Sequence, residues 1–261
     1  MKKLVVSLTA LAALSGSALA ADLPTKAPMY QPPAPVYNWT GFYLFGGVGY
    51  GLWEADTFTS NPVTGVCVLC VEQRQGGRGW YGTVGGGYDW QFGGPWVAGI
   101  FADGQFGSIK GSIQDQGPFS VGEEKLRDTW AVGARVGYLV APNVLTYING
   151  GYTGSNWSGT SFVSTFIGTT LNTHSDSFNR NGWFFGGGVE NSLNFFGITS
   201  PGWFMKTEWR VAEFDRTDIA VLNNTTGLIG GNDISFRPIV QTVSTSIVYR
   251  FNWGPPIAAK Y

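Results

Sequence analysis

The stretch Gly182–Arg210, GWFFGGGVENSLNFFGITSPGWFMKTEWR, decides how the chain is read. In its second half Trp203, Met205, Thr207, Trp209 and then Val211 occupy alternate positions, with Phe204, Lys206, Glu208 and Arg210 between them. A β-strand sends successive side chains to opposite faces. One face of this strand is therefore mainly apolar and aromatic, and the other carries three consecutive charges. In a soluble sandwich the apolar face is core. Two tryptophans near strand ends, in a chain with an expected export signal, fit another arrangement: apolar face against lipid, charged face into a barrel lumen.

The same alternation recurs along the chain. Strands are predicted at about Trp39–Trp53, Gly79–Phe92, Trp96–Ile109, Leu126–Val140, Val144–Trp157, Asn181–Asn191, Trp203–Val211 and Ile239–Phe251. Trp80, Val84, Tyr88, Trp90 and Phe92 oppose Tyr81, Thr83, Asp89 and Gln91 on the second. The fourth sets Leu126, Trp130, Val132, Ala134, Val136, Tyr138 and Val140 against Arg127, Thr129 and Arg135. Connections alternate long and short. Gly93-Gly94-Pro95 and Ala141-Pro142-Asn143 read as tight turns, whereas Lys110–Glu124, Ser158–Asn179 and Asp215–Phe236 read as polar loops. Each strand reaches the roughly 9–11 residues that a tilted transmembrane strand needs. The expected fold is all-β: an eight-stranded antiparallel up-and-down transmembrane barrel over 39–252, with long loops outside and short turns on the periplasmic side.

Composition agrees with that class. The chain has 261 residues, 39 glycines, 15% aromatics and only 13% charged residues, which argues against disorder. Residues 1–20 have a basic start (Lys2, Lys3), an apolar run and Ala18-Leu19-Ala20, the pattern of a cleaved secretory signal. Without those two lysines, 14 basic residues face 17 acidic ones, a balance that speaks against nucleic-acid binding. Residues 21–38 hold five prolines and read as a periplasmic linker; 253–261 read as a C-terminal tail. Cys67 and Cys70 are expected to form a local disulfide, since the stretch lacks the further ligands of a zinc site.

Asp89, Asp103, Arg135, Glu190, Lys206, Glu208 and Arg210 fall on the faces assigned to the lumen. Such charges either line a selective pore or pair with one another to plug the bore. Eight strands leave an interior just wide enough for side chains, so the plug is expected. Trp39, Trp80, Trp90, Trp96, Trp157, Trp183 and Trp203 sit near strand ends, where interfacial girdles would place them. His174, the single histidine, precedes Ser175 and Asp176. Adjacent residues in an extended loop point apart and do not build a triad, so His174 reads as a loop residue. The glycine triplets 85–87 and 186–188 precede no helix and are not nucleotide loops; they suit bending and close backbone approach. No acid, base and nucleophile converge in the pattern, and neither cofactor nor metal is expected. A periplasmic ligand-binding barrel remains as an alternative, with the two faces reversed.

Thr83–Ser108, Trp130–Ser155 and Arg180–Asp215, with NWTGFYLFGGVGYG after a proline-rich segment, resemble the alphaproteobacterial outer-membrane β-barrel family of porin-like immunogenic proteins. The resemblance spans essentially the whole chain after residue 20. It implies a Gram-negative outer-membrane location with roles in envelope integrity and surface contact. The implied partners are outer-membrane lipid, lipopolysaccharide and the barrel-assembly machinery. Because some members bind haem, it also makes His174 a conceivable haem ligand. Tyr249 and Phe251 are similar to the terminal aromatic assembly signal of such barrels, although Asn252–Tyr261 extends beyond it.

Overall fold

The computed structural model describes residues 38–68, 71–198 and 202–251. The segments expected as signal, linker (save Asn38) and C-terminal tail lie outside these. Eleven strands form one antiparallel sheet: β1 (Gly41–Ser60), β2 (Gln73–Phe92), β3 (Trp96–Asp115), β4 (Ser120–Ala141), β5 (Val144–Trp157), β6 (Thr160–Ser164), β7 (Thr170–Ser175), β8 (Phe178–Ser192), β9 (Trp203–Phe214), β10 (Thr217–Asn223) and β11 (Ile229–Phe251). Neighbours pair in the order β1-β2-β3-β4-β5-β8-β9-β11, and β11 pairs back onto β1 from Phe42↔Phe251 to Ser60↔Asp233. The ring is closed, so these strands expose no edge and their backbone groups are satisfied within the sheet.

Eight expected strands and eleven observed ones describe the same ring. β6 pairs with the start of β4 and with β7; β7 pairs with β10, and β10 with the start of β11. The circuit β1-β2-β3-β4-β6-β7-β10-β11 thus closes a second time above the first. β6, β7 and β10 continue β5, β8 and β9 after breaks at 158–159, 176–177 and 215–216. Bonds from Ser158 N to Lys125 O (2.9 Å) and from Asp215 N to Asn181 O (3.0 Å) stitch two of the breaks.

The predicted loops Lys110–Glu124, Ser158–Asn179 and Asp215–Phe236 are corrected accordingly, because each is largely strand. The reason lies in the solvent. At the short-turn end the outward residues are apolar: Phe42, Leu44, Val84, Ile100, Val132 and Val136 are exposed. At the long-loop end the alternation inverts. Trp53, Ile109, Ile113, Phe162, Val221, Ile234 and Phe236 point inward and are buried, while Glu54, Arg74, Arg78, Lys110 and Glu123 point outward. In water the hydrophobic effect turns apolar groups in; against lipid nothing does. An apolar-outside pattern therefore stops where the strands rise out of the apolar band, although the strands themselves continue.

One bulge shifts a face. The β3–β4 register slips between Phe106 and Ile109, and the β4–β5 register between Leu126 and Asp128. Leu126 is buried although Trp130, four residues on, is exposed, so Leu126 does not share the face expected for it. At the short-turn end, Gly93 and Gly94 have φ of 55° and 81°, a left-handed conformation that glycine adopts without strain.

Candidate functional site: the filled bore

The inward side chains at the short-turn end form two layers of charge. Asp89 on β2, Arg135 on β4, Glu190 on β8 and Arg250 on β11 lie on alternate strands of the ring, each almost fully buried. Arg135 donates to Asp89 through Nε (3.0 Å) and Nη2 (2.5 Å), and to Glu190 through Nη1 (3.2 Å). Arg250 reaches Asp89 Oδ2 at 2.8 Å and Glu190 Oε1 at 2.7 Å. Two cations and two carboxylates thus make a cycle of alternating charge. Tyr43 packs between the cations, its ring 4.4 Å from the Arg135 guanidinium and 5.0 Å from that of Arg250, in cation–π contact with both.

The second layer joins Asp103 on β3 to Lys206, Glu208 and Arg210 on β9. Arg210 bonds Asp103 Oδ1 (3.0 Å), Asp103 Oδ2 (2.7 Å) and Glu208 Oε1 (2.8 Å). Tyr147 OH donates to Glu208 Oε2 at 2.8 Å, and Lys206 Nζ lies 3.7 Å from the same oxygen and 3.3 Å from the Phe45 ring centre. This layer also balances two cations against two carboxylates. A buried charge left unpaired is costly; here every one has a counter-charge.

Inward-facing glycines make room for these groups. A Cβ on Gly87 would meet Tyr43 OH at 2.5 Å, and one on Gly186 would meet Asn149 Oδ1 at 2.7 Å. The triplets expected to serve backbone bending also admit side chains reaching across a narrow bore.

Toward the long-loop end the bore fills with hydrocarbon. Trp157 packs edge-on to Trp53 (5.4 Å) and Phe236 (5.1 Å) and stacks on Phe178 (6.1 Å). Glu124 is buried in this half. One of its oxygens accepts the Lys125 N–H at 3.2 Å, and the other has no hydrogen-bond partner among the described residues. Burial raises its carboxyl pKa to about 8. Burial likewise raises that of Asp115, against the opposing hydrogen bond from Gly117 N.

The seven residues expected to bear lumenal charge all point inward and are buried. Arg250 completes the first layer and was missed; its place between Tyr249 and Phe251, which face outward, was the available signal. Of the tryptophans expected at an interface, Trp80, Trp90, Trp96, Trp183 and Trp203 are exposed. Trp39 and Trp157 are corrections, each only 1% exposed. Trp39 lies inside against Arg250, ring to guanidinium 4.5 Å, and its indole N–H donates to Pro142 O at 3.2 Å. Trp157 belongs to the aromatic core just described. Both occur where strand-end position and strand face disagree. Trp130 and Trp209, not singled out earlier, are exposed.

His174 Nδ1 is 2.5 Å from Asn224 Oδ1, and its Nε2 is 3.4 Å from Asp176. Ser175 is buried on the opposite face, so the three do not converge on a reacting atom. Cys67 is disulfide-bonded; Cys70, the only other cysteine, lies outside the described residues.

A closed antiparallel ring with an apolar exterior band and a charged interior defines the outer-membrane class of β-protein. The chain belongs to the outer membrane protein beta-barrel domain family, whose model matches residues 6–251. Two 31 kDa outer-membrane immunogenic proteins, from Brucella melitensis and Brucella suis, are each 28% identical over 233 residues, covering 86% of this chain and 92% of the relative. Among solved structures it is similar to the outer membrane protein OprG from Pseudomonas aeruginosa (TM-score 0.48, 9% identity, 81% of this chain and 97% of that one). It is also similar to the outer membrane protease OmpT from Escherichia coli (TM-score 0.45, 10% identity, 81% and 97%). A third is the attachment invasion locus protein Ail of Yersinia pestis (TM-score 0.35, 13% identity, 81% and 99%). The protein is an outer-membrane protein.

Proposed function

We propose that this protein is a non-catalytic, eight-stranded transmembrane barrel that contributes to envelope structure and surface contact and does not conduct solutes. The observation that carries the reading is the bore itself. Two charge-balanced layers and, above them, the Trp53–Trp157–Phe236 cluster occupy it in series. Trp80 and Trp183 toward one rim of the apolar band, with Trp90, Trp96 and Trp203 toward the other, suit the two lipid–water boundaries. Surface contact is supported by apolar groups at the loop tips: Val63, Phe119, Phe166, Ile167 and Leu228 are exposed. Phe119, held at a φ of 51°, packs edge-on to Phe166 at 5.3 Å. Tyr249 and Phe251, in ring contact at 4.8 Å beside Trp203, are proposed to serve barrel assembly.

The test is conductance of the folded, heat-modifiable protein in a planar bilayer. The bilayer stays silent for the natural chain. It also stays silent when Asp89, Arg135, Glu190 and Arg250 are all replaced by alanine, because the aromatic cluster still blocks the bore. Discrete, reproducible steps from the natural chain would reject the sealed barrel in favour of a narrow channel.

A further inference from the structure

The ladder between β2 and β3 ends at Gly77↔Gly111, although β3 stays paired with β4 as far as Asp115↔Ser120 and β2 with β1 as far as Gln73↔Thr57. Beyond that point glutamine side chains take over from backbone bonds. Gln75 Oε1 accepts the Gln114 N–H at 2.8 Å, and Gln116 Nε2 donates to Val71 O at 2.7 Å. Between the parted strands lies a cavity of about 280 Å³, lined by Gln73, Gln114, Asp115, Gln116, Phe119 and Ser120 among others. Gln73 is seven residues beyond Trp80, about 24 Å along the strand. The cavity therefore stands in water, clear of the apolar band.

Three of its lining residues, each more than nine-tenths buried, hold an oxygen with no hydrogen-bond partner among the described residues. These are Asp115 Oδ2, Gln116 Oε1 and Ser120 Oγ. Buried polar atoms left unmatched are costly. Asp115 Oδ1 is already committed, to Gly117 N (3.0 Å) and Asn232 Nδ2 (3.3 Å). Asp115 is the one charged residue in the lining, and burial raises its carboxyl pKa with no cation in opposition. Phe119 adds an aromatic wall. Its φ of 51° is a conformation that a bulky residue rarely adopts, and its carbonyl accepts from Thr165 N (2.9 Å) and Thr165 Oγ1 (2.6 Å). The turn after β6 thus fixes the tip of the β3–β4 hairpin.

This set of acceptors narrows the ligand. A calcium ion takes about six to eight oxygens, and among the described residues no three acidic, histidine or cysteine side chains gather for a metal. A guanidinium is best met by both oxygens of one carboxylate, and Asp115 has one left. An ammonium has three donors and no acceptor, and an aromatic face attracts it.

We propose that this cavity binds the primary ammonium group of a small water-soluble amine, with Asp115, Gln116 and Ser120 each accepting one N–H and Phe119 flanking the cation. The site is separate from the sealed bore proposed above, and neither depends on the other.

The experiment titrates the full chain, folded in zwitterionic micelles with heat-modifiable mobility checked first, at constant ionic strength. Amide NMR shifts are read at Gln116, Gly117 and Ser120. Butylammonium gives saturable shifts there in the natural chain. Butyltrimethylammonium, equal in charge but without N–H donors, binds roughly tenfold more weakly. Asp115→Asn loses roughly ten- to a hundredfold in affinity for butylammonium, the range of a hydrogen bond to a charged group. Ser120→Ala, which keeps the charge, loses severalfold. Asp176→Asn, which alters an exposed carboxylate outside the lining, retains the affinity. Absence of saturable shifts at these amides would overturn the site, as would equal affinity for the two cations or equal loss in the Asp115 and Asp176 variants. Saturation by calcium chloride at lower concentration than butylammonium would make it a metal site and reject the amine. If Asp115→Asn lost heat-modifiable mobility, the Ser120→Ala and butyltrimethylammonium comparisons would decide alone.

Discussion

Arg210 on β9 holds both carboxylate oxygens of Asp103 on β3, at 3.0 and 2.7 Å, and the two strands stand four places apart in a ring of eight. The pair therefore crosses the full width of the bore. Its residues are 107 apart in sequence, and the strands that carry them do not touch. Such a strut ties opposite walls together in a way that no ladder hydrogen bond does.

Removing one end of that strut leaves the other buried without its partner. The Arg210→Met variant is expected to lose about 3–5 kcal/mol of stability, read from the urea midpoint in detergent. Replacing both ends, Asp103→Leu with Arg210→Met, restores most of the loss, because Lys206 and Glu208 remain as a neutral pair. A double variant no more stable than the single one would show that the bridge supplies net stability, not just mutual compensation.

Glu124 sets a pH dependence. Its folded-state pKa, about 8, lies above the ordinary 4.5, so the folded chain holds this proton more tightly than the unfolded one. The contribution is fully present below about pH 4.5 and is lost as pH rises toward 8, at about 1.4 kcal/mol per unit. The natural chain should be less stable at pH 9 than at pH 5. Glu124→Gln, which cannot ionise, should flatten that difference and be the more stable of the two at pH 9. Parallel pH profiles for the two chains would remove Glu124 as the cause.

Tryptophan accessibility separates the two populations. In variants keeping one tryptophan each, brominated lipid should quench Trp80 and Trp183, which are 70% and 69% exposed. It should leave Trp39, Trp53 and Trp157 bright, each 1% exposed. Quenching of Trp157 as strong as that of Trp80 would contradict the inward aromatic core.

The local sequence determined a good deal. Period-two alternation located all eight ring strands, β5 at both its ends, Val144 and Trp157, and set Lys206, Glu208 and Arg210 on one face, because a strand's geometry leaves no other choice. What alternation cannot tell is which solvent each face meets. Along β1, Tyr43, Phe45 and Trp53 occupy the inward face, while Phe42, Leu44 and Leu52 occupy the outward one; both sets are apolar, so the pattern there carries no direction. Closure of the ring decided it, by placing one set in a bore and the other outside. Closure also turned Trp39 and Trp157 inward, extended the strands through stretches that read as polar loops, and brought Asp89, Arg135, Glu190 and Arg250 together from four alternate strands. Those contacts span 46 to 161 residues of chain, as the Asp89–Arg135 and Asp89–Arg250 pairs illustrate. Charge and size are written locally, but the partner that makes a buried charge tolerable is supplied only when distant strands meet across the barrel.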